Sequence, residues 1–413
     1  MMKRFLPVFG AMLIAFLMTS APAISQSSPL LDIKVDVVYL ASDYLEGREA
    51  GSRGERLAAE YIAKRFKEIG LTPKGDNDTW FHEFEFTFKS NPHSAEGEAR
   101  TGVNVVGYID NKAANTVIIG AHYDHLGHGA NGSLAANSTD IHNGADDNAS
   151  GVAALIRLGA YLKQSKKALN NNYLLIAFSA EELGLFGSKH YVMRPSIDLS
   201  KVNYMLNMDM VGRLNAEKVL AISGAGTSPT WRPALEAIKV ADIQAKLSDS
   251  GVGPSDHTSF YLQNMPVLHF FTGQHADYHK PADDAQLINF QGLLEVTDYI
   301  IALIESVDNS GKLTFTKTKD EDENRKAASF KVTLGVMPDY VYNGEGMRVD
   351  GVLDGRPAAK AGMLAGDIII KIGDLQVKDI YSYMEGLAKF KVGDKAIVVF
   401  KRGTEQMEKE VQF

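Results

Sequence analysis

The chain contains no cysteine among its 413 residues. It can form no disulfide, and no lipid-anchored cysteine can follow an export signal. It also offers no thiolate to a metal, so any metal site must use histidine nitrogen and carboxylate oxygen. An exported protein of this length can instead rely on its own hydrophobic core.

An excess of basic residues is also absent. The chain has 43 Lys and Arg against 51 Asp and Glu, which gives a formal net charge of −8, and its pI is about 5.8. Proteins that bind nucleic acid neutralise phosphates with clustered Lys and Arg, so we expect no nucleic-acid partner. The hydrophobic content of 45% and charged content of 23% are ordinary for globular proteins. The length favours two or three domains.

Long apolar runs are scarce, and the one at 5–18 is too short for a comfortable membrane span. Lys3 and Arg4 precede it, and Ala21-Pro22-Ala23 resembles an A-x-A cleavage site. We therefore expect residues 1–25 to be a signal peptide, with an uncleaved anchor as the alternative. The mature protein would be bacterial, periplasmic or secreted, with no stable membrane span.

Beyond residue 100, short apolar runs alternate with helical stretches. Strands are predicted at 103–109, 116–120, 173–178, 202–208, 219–223 and 267–271. A helix at 151–163 lies between two of them, and an earlier amphipathic helix follows the glycine-rich turn at 51–54. This alternation predicts an α/β domain over 26–310, with a mostly parallel central sheet flanked by helices. A charged linker is expected at 311–329, followed by a small, mainly-β domain at 330–413.

Histidine and carboxylate residues follow several of these strands. They are His122, Asp147, Glu181, Glu182, Asp209 and His279. The carboxyl ends of parallel strands meet at one edge of a sheet, where open α/β folds bind ligands. Two zinc ions about 3.5–4 Å apart need a bridging carboxylate and turn their shared water into hydroxide. The set therefore predicts a two-zinc hydrolytic site, in which one carboxylate remains to transfer protons.

Each motif by itself has a simpler interpretation. The pair Glu181-Glu182 is also typical of a helix N-terminus, where carboxylates interact with the helix dipole. The segment "GADDNASG" can be a turn and helix cap, and within it Asp146 can exchange roles with Asp147. Other histidines near the motifs are interpreted as two loop residues and one residue at the pocket rim or in solvent. These are His125, His128 and His275.

Taken together, residues 30–310 resemble the co-catalytic di-zinc aminopeptidase family, whose relatives include glutamate carboxypeptidase II and glutaminyl cyclases. The resemblance rests on "AHYDH", "GADDNASG", "SAEELGLFGS", "NMDMVGR", "SDHTSF" and "HKPADD". It implies a zinc exopeptidase, with an aminopeptidase favoured, that cleaves N-terminal peptide bonds with a hydroxide bridging two zinc ions. Many members carry a protease-associated insert, for which the spacing from Trp80 to Val103 leaves no room.

The resemblance also implies a role for each residue of the set. His122 and Asp209 would complete one zinc site, Glu182 and His279 would complete the other, and Asp147 would bridge them. The peptide bond that follows the bridging residue would be cis.

Two further carboxylates have roles under the same resemblance. Glu181 would be the general base and acid, and Asp124 would orient the imidazole of His122. The pocket is expected to involve four residues chosen by position, while the segment 255–260 would line it or only pack against a loop. The four are Met210, Phe260, Tyr261 and Tyr278.

The tail resembles a PDZ domain of the bacterial protease type, in "TLGVMPDY", "GMRVDGVLDGRPAAKAGMLAGDIIIKIGDLQV" and "KVGDKAIVVFKRG". Such a domain adds a peptide as an extra strand and binds its terminal carboxylate on backbone N–H groups. The loop would lie near 333–336, with a peptide C-terminus as its partner. The alternative is a domain that only packs on the peptidase or mediates assembly.

Two other functions remain open for the whole chain. A glutaminyl cyclase-like aminoacyltransferase would use a related scaffold with a single zinc, which the complete two-metal set disfavours. An inactive peptidase that serves as a PDZ scaffold would be expected to lack a ligand or the base, and none is missing here.

Overall fold

The computed structural model describes residues 28–88, 97–135, 138–318, 332–338, 342, 344–352 and 355–413. The predicted signal peptide, and residues 319–329 of the predicted linker, lie outside the described residues. Within the described ranges, no helix has both the length and the hydropathy that crossing a membrane requires.

The first domain is built on one large sheet. Its strands are β1 (Thr72–Pro73), β2 (Phe81–Phe88), β3 (Glu98–Ile109), β4 (Asn115–His122), β5 (Asn171–Phe178), β6 (Val202–Met208), β7 (Val219–Ser223), β8 (Gln244–Leu247) and β9 (Val267–Phe271). Among the described residues their order is β1-β3-β5-β4-β6-β9-β7-β8, with β2 paired to β3. The central strands β5, β4, β6 and β9 are parallel. Antiparallel pairs extend the sheet on both sides, so the predicted parallel sheet forms the centre of a mixed one.

Helices cover both faces of this sheet. They are α1 (Pro29–Leu40), α2 (Arg53–Glu68), α3 (Gly151–Gln164), α4 (Phe186–Met193), α5 (Trp231–Ala237), α6 (His257–Tyr261) and α7 (Phe290–Val307). Side chains alternate along a strand, and β4 shows the result. Val117 and Ile119 belong to the core on the side of α2, α3 and α7, whereas Ile118 packs in the core with residues of α4 and α6. The domain therefore has three layers, α/β/α.

The central strands are buried along nearly their whole length. All eight residues of β5 are buried, as expected for a parallel strand covered by helices on both faces. The ends of the covering helices carry polar caps. Ser52 accepts a hydrogen bond from the Glu55 backbone N–H at the start of α2, and Asn289 accepts one from Gly292 at the start of α7. This rigid frame fixes where each strand ends.

The second domain is small and mainly β, as predicted. Its elements are β10 (Val336–Pro338), β11 (Met347–Val352), α8 (Pro357–Lys360), β12 (Ile368–Ile372), β13 (Leu375–Gln376), α9 (Ile380–Ala388), β14 (Lys395–Arg402) and β15 (Glu405–Gln412). In the described residues the sheet order is β10-β11-β12-β14-β15, with β13 paired to β12. It has its own hydrophobic core, separate from that of the first domain.

The first part of the predicted linker packs on the first domain. The Leu313 backbone N–H donates to Asn203 Oδ1 at 2.7 Å, and that of Thr316 donates to the Thr227 carbonyl oxygen at 2.8 Å. The hydroxyls of Thr318 and Tyr261 lie 2.9 Å apart. The domain bounds themselves stay a prediction.

Candidate active site

The strand ends bring the sequence-predicted residues together at one edge of the large sheet. His122 is the last residue of β4, and Asp209 directly follows β6. Glu181 and Glu182 follow β5, while His279 lies in the loop beyond β9. Parallel neighbours end on the same side, so these side chains converge although they are far apart in the chain.

Asp147 lies between the two histidines. Its Oδ1 is 3.2 Å from His122 Nε2, which is also 3.2 Å from Asp209 Oδ1. Its Oδ2 is 3.2 Å from His279 Nε2, which is also 3.1 Å from Glu182 Oε2. One carboxylate therefore faces both halves of the cluster, with one oxygen toward each.

These residues fit a site for cations. His122, Asp147 and Asp209 can offer three donor atoms to one ion. His279 Nε2 makes no hydrogen bond within the described chain, although two carboxylate oxygens lie near it. The ring nitrogen of His279 and the carboxylate oxygens near it can therefore serve together as donors to one ion. All are N and O donors, which suit zinc in a chain without thiolates.

The electrostatics agree with that fit. Burial by itself lowers the pKa of His122 and His279, but nearby carboxylates outweigh it. Asp209 and Glu181 raise the pKa of His122, and Glu182 and Asp147 raise that of His279. Both pKa values are therefore held well above the ordinary histidine value. A concentrated negative potential of this kind attracts cations.

Asp146 faces away from this cluster. Its Oδ1 accepts a hydrogen bond from the Gly212 backbone N–H at 2.6 Å, and its Oδ2 lies 3.3 Å from His275 Nε2. The adjoining peptide bond, Asp147–Asn148, is cis, as the family resemblance implied. The two neighbouring carboxylates are therefore directed to different partners, and Asp147 is the one that faces His122.

Asp283 is a carboxylate that the sequence analysis did not single out. Its Oδ2 accepts hydrogen bonds from the backbone N–H groups of Asp146 and Asp147, at 2.9 and 3.0 Å. The side chain is fully buried. Asp283 thus fixes the turn that presents Asp147. It lies in the motif "HKPADD", which was its only signal in the sequence.

Asp124 contacts both His122 and the loop after β5. The Nδ1 of His122 donates to the Asp124 main-chain oxygen at 3.3 Å, while the carboxylate lies 3.7 Å from that nitrogen. The carboxylate accepts the backbone N–H of Glu181 at 3.1 Å and of Glu182 at 3.4 Å. Asp124 therefore also holds the two glutamates in place.

Glu181 is half-buried beside the metal-binding set. Burial raises the pKa of its carboxyl well above the usual value; His122 opposes this rise, whereas Asp209 and Glu182 add to it. A carboxyl group that retains a proton more readily than a free glutamate is suited to proton transfer near neutral pH.

His125 lies in the loop after β4, as predicted, but its burial and its contacts were not expected. It is buried, and its Nδ1 lies 2.8 Å from Glu182 Oε1. Together with Asp147 and Glu182 it forms a second group that can hold an ion. The other loop histidine, His128, is exposed and contacts the Thr139 carbonyl oxygen.

A cavity of about 280 Å³ adjoins this centre. Part of it is lined by two cross-strand pairs of β7 and β9, Ala221 with Phe271 and Ser223 with His269. Residues directly opposite in neighbouring strands share one face of the sheet, so these side chains form a common surface. The ring of His257 stacks on that of His269 with centroids 4.6 Å apart.

The four predicted pocket residues divide into two pairs. Met210 and Tyr278 line the cavity, as expected. Phe260 and Tyr261 belong instead to the hydrophobic core under α6, so their prediction was wrong. Both lie on the short helix that begins at His257, and it is His257 that lines the cavity.

Comparison with known proteins gives a two-part division of the chain. Residues 104–304 match the model of peptidase family M28, and residues 315–413 match the model of the PDZ domain. Both matches agree with the resemblances drawn from the motifs.

Two curated relatives are similar to part of the chain. Leupeptin-inactivating enzyme 1 of Streptomyces exfoliatus is 26% identical over 263 residues, which cover 62% of this chain and 52% of that protein. Aminopeptidase YwaD of Bacillus subtilis is 28% identical over 220 residues, which cover 50% of this chain and 44% of that protein. The chain spans about half the length of the curated relatives it matches.

Solved structures share the fold of the first domain. The zinc aminopeptidase BSAP of Bacillus subtilis has a TM-score of 0.53 at 18% identity, covering 69% of this chain and 95% of that one. The glutaminyl cyclase of Porphyromonas gingivalis has a TM-score of 0.54 at 18% identity, covering 68% of this chain and 98% of that one. At such identity the likeness is one of fold.

Proposed function

Since residues 104–304 belong to peptidase family M28 and a PDZ domain follows them, we propose that the protein is a zinc-dependent aminopeptidase that hydrolyses N-terminal peptide bonds. The observation that carries this proposal is Asp147, which faces His122 with one oxygen and His279 with the other. A curated relative named an aminopeptidase, at 28% identity, supports the same activity.

We further propose two zinc ions per chain. His122, Asp209 and Asp147 would hold one ion, and Glu182, His279 and Asp147 would hold the other. When bound, the ions would supply Lewis acidity to polarise the scissile carbonyl and lower the pKa of a water molecule. His125 contacts Glu182 at 2.8 Å and would orient that carboxylate, as residues behind metal ligands commonly do.

Glu181 is the proposed general base and acid. It would take a proton from the attacking water and deliver it to the leaving amine. Its raised pKa supports this role, because a carboxyl group that binds protons more readily can both accept and return one. Asp124 would support the transfer by holding the Glu181 backbone N–H at 3.1 Å.

The cavity is proposed to receive an uncharged, predominantly apolar side chain of the substrate. Burial lowers the pKa of both His257 and His269, so these rings are neutral near pH 7. Among the described residues that line the cavity, none is Lys or Arg, and every carboxylate belongs to the centre itself. A charged substrate side chain would therefore lose its hydration without finding a partner.

We also propose that the protein is exported and that its PDZ domain binds peptides. The sequence of residues 1–25 supports a periplasmic or secreted location in a bacterium. The PDZ domain is proposed to bind a peptide C-terminus near 333–336, since β10 is the first strand in the order of its sheet.

Screening the purified full chain against an aminoacyl-fluorophore library, with and without chelator, tests the activity. We expect release of apolar N-terminal residues, loss of release on chelation and recovery with zinc, and elemental analysis should find two zinc ions per chain. Ammonia release from an N-terminal glutaminyl peptide, without hydrolysis of the library, would instead favour a glutaminyl cyclase. Binding of peptide termini with no turnover at all would favour an inactive scaffold.

A further inference from the structure

The second domain reaches the cavity of the first. Val336 and Pro338, both on β10, line the same cavity as Asp147, Glu181 and Tyr278. They stand 58 and 60 positions beyond Tyr278 in the chain, and Val336 packs against the separate hydrophobic core of the PDZ domain. The pocket beside the catalytic carboxylates is therefore composed of residues from both domains.

We propose that β10 of the PDZ domain forms a wall of the substrate pocket, and that Val336 and Pro338 help to determine which N-terminal residue is cleaved. This inference rests on the proposed aminopeptidase function and deepens it. The PDZ strand thus adds side chains to a cavity that residues of β7 and β9 also line.

Contacts within the PDZ domain hold β10 in position. Leu334, two residues before Val336, is fully buried in the PDZ core, and its carbonyl oxygen accepts the Ala358 backbone N–H at 2.9 Å. Val336 then pairs with Val352 of β11. The wall is thus part of the folded PDZ domain and does not depend on a loose segment.

The chemistry of the wall matches the rest of the cavity. Val336 and Pro338 are aliphatic, and the surface formed by β7 and β9 presents Ala221 and Phe271. Hydrophobic pockets discriminate by size, and one methylene is worth about 10- to 200-fold in kcat/KM. The composite pocket is therefore expected to favour aliphatic or aromatic N-terminal residues over small or charged ones.

Enlarging the wall residue tests this directly. In Val336→Trp the indole would occupy part of the cavity, so kcat/KM for leucyl and phenylalanyl substrates should fall at least about tenfold relative to alanyl substrates. Val392→Trp is the matched control: it makes the same change in the same domain at a side chain that is 80% exposed, and should leave the profile unchanged. Zinc content should be equal in all three proteins.

A binding measurement separates this inference from the proposed function. Calorimetric titration of zinc-loaded Glu181→Gln with the dipeptide Leu-Leu should give a Kd that Val336→Trp weakens at least about tenfold and Val392→Trp does not. If the wild type hydrolyses no substrate while this difference in binding is found, the aminopeptidase proposal fails and the composite pocket stands. An unchanged substrate profile and an unchanged Kd in Val336→Trp would overturn the composite pocket.

Discussion

At the scale of single residues, side chains that are adjacent in the sequence have different contacts in the candidate active site. Asp146 is bound to Gly212 and lies beside His275, whereas Asp147 faces the cluster. Glu182 lies 3.1 Å from His279, while Glu181 is the half-buried carboxyl that lies outside the proposed ligand set. Conservative substitutions of neighbours should therefore have different effects.

We expect Glu181→Gln to retain both zinc ions and to lower kcat by about 10²- to 10⁴-fold, the usual contribution of general acid–base catalysis. Glutamine keeps the size of the side chain but cannot accept the proton. Glu182→Gln is the matched control. It makes the same change at the neighbouring glutamate but alters a proposed zinc ligand, so its zinc content should fall. Elemental analysis and steady-state kinetics on both variants measure this; full turnover in Glu181→Gln would remove Glu181 from the mechanism.

Glu55 should make the stability depend on pH. Burial raises its pKa from 4.5 to about 7. The folded protein thus keeps a proton between pH 4.5 and 7 that the unfolded chain releases, and the free energy of unfolding should fall as pH rises through that window. The shift corresponds to about 3 kcal/mol.

Urea unfolding at pH 5 and pH 7 measures this effect. The wild type should lose about 2 kcal/mol more between the two pH values than Glu55→Gln, which has no group to titrate at that position. The comparison of slopes holds even if the variant is less stable throughout, since its neighbours Tyr123 and Ser179 both contact the carboxylate. Equal slopes in the two proteins would contradict the assignment.

The sequence was more informative about the proposed metal ligands than about the buried residues that hold the surrounding loops in place. His122 and Asp209 stand at strand ends within short motifs, so position and residue type were enough to single them out. Arg48 is different: it is buried and donates to the Tyr123 and Asn143 carbonyl oxygens, 75 and 95 positions away. No local pattern encodes such a partner, because the contact exists only after the sheet has formed.

At the scale of elements, all six predicted strands of the first domain are present, within a few residues at their ends. β2 was missed, although its alternating burial follows the period of two in "FHEFEFTF". The antiparallel pairing of β2 with β3 and that of β7 with β9 were not predicted either. Apolar runs indicate that strands exist, whereas pairing direction is decided by connections and neighbours that the runs do not record.

One carboxylate at the end of α7 forms hydrogen bonds with the residues at the start of β5. Asp308 is 1% exposed and accepts hydrogen bonds from the backbone N–H groups of Leu169 and Asn170 and from the side chain of Asn171. Asp308→Ala would remove the acceptor of all three donors and leave the buried Asn171 amide without one, which costs about 1–3 kcal/mol. We expect a loss of about 2 kcal/mol or more in the free energy of unfolding.

Denaturant unfolding of Asp308→Ala beside Asp298→Ala checks this prediction. Asp298 lies on the same helix with its side chain 46% exposed, in an ion pair 3.9 Å long. An exposed pair of this kind contributes about 0–1 kcal/mol. A similar loss of stability in the two variants would show that the helix end does not depend on the Asp308 contacts.

At the scale of the whole molecule, two domains with separate hydrophobic cores both contribute residues to one pocket. The motifs predicted both domains, because each carries its own signature. They did not predict that Val336 and Pro338 would line a cavity with Asp147. Such a contact arises from the packing of one folded domain against another, and no short motif records it.

Separate cores and a metal centre in only one of them lead to a prediction about unfolding. Zinc binds the folded first domain and stabilises it by mass action, by about 2.7 kcal/mol when free zinc is a hundredfold above its Kd. Scanning calorimetry should therefore show two transitions, of which chelation lowers one by about 5 °C or more. His279→Ala should reduce that shift, since it removes a proposed ligand. The transition of the PDZ domain should keep its temperature in every case, because the PDZ core contains no residue of the metal centre. A single transition that shifts as a whole on chelation would contradict this prediction. It would mean that the contact through β10 makes the two domains unfold together.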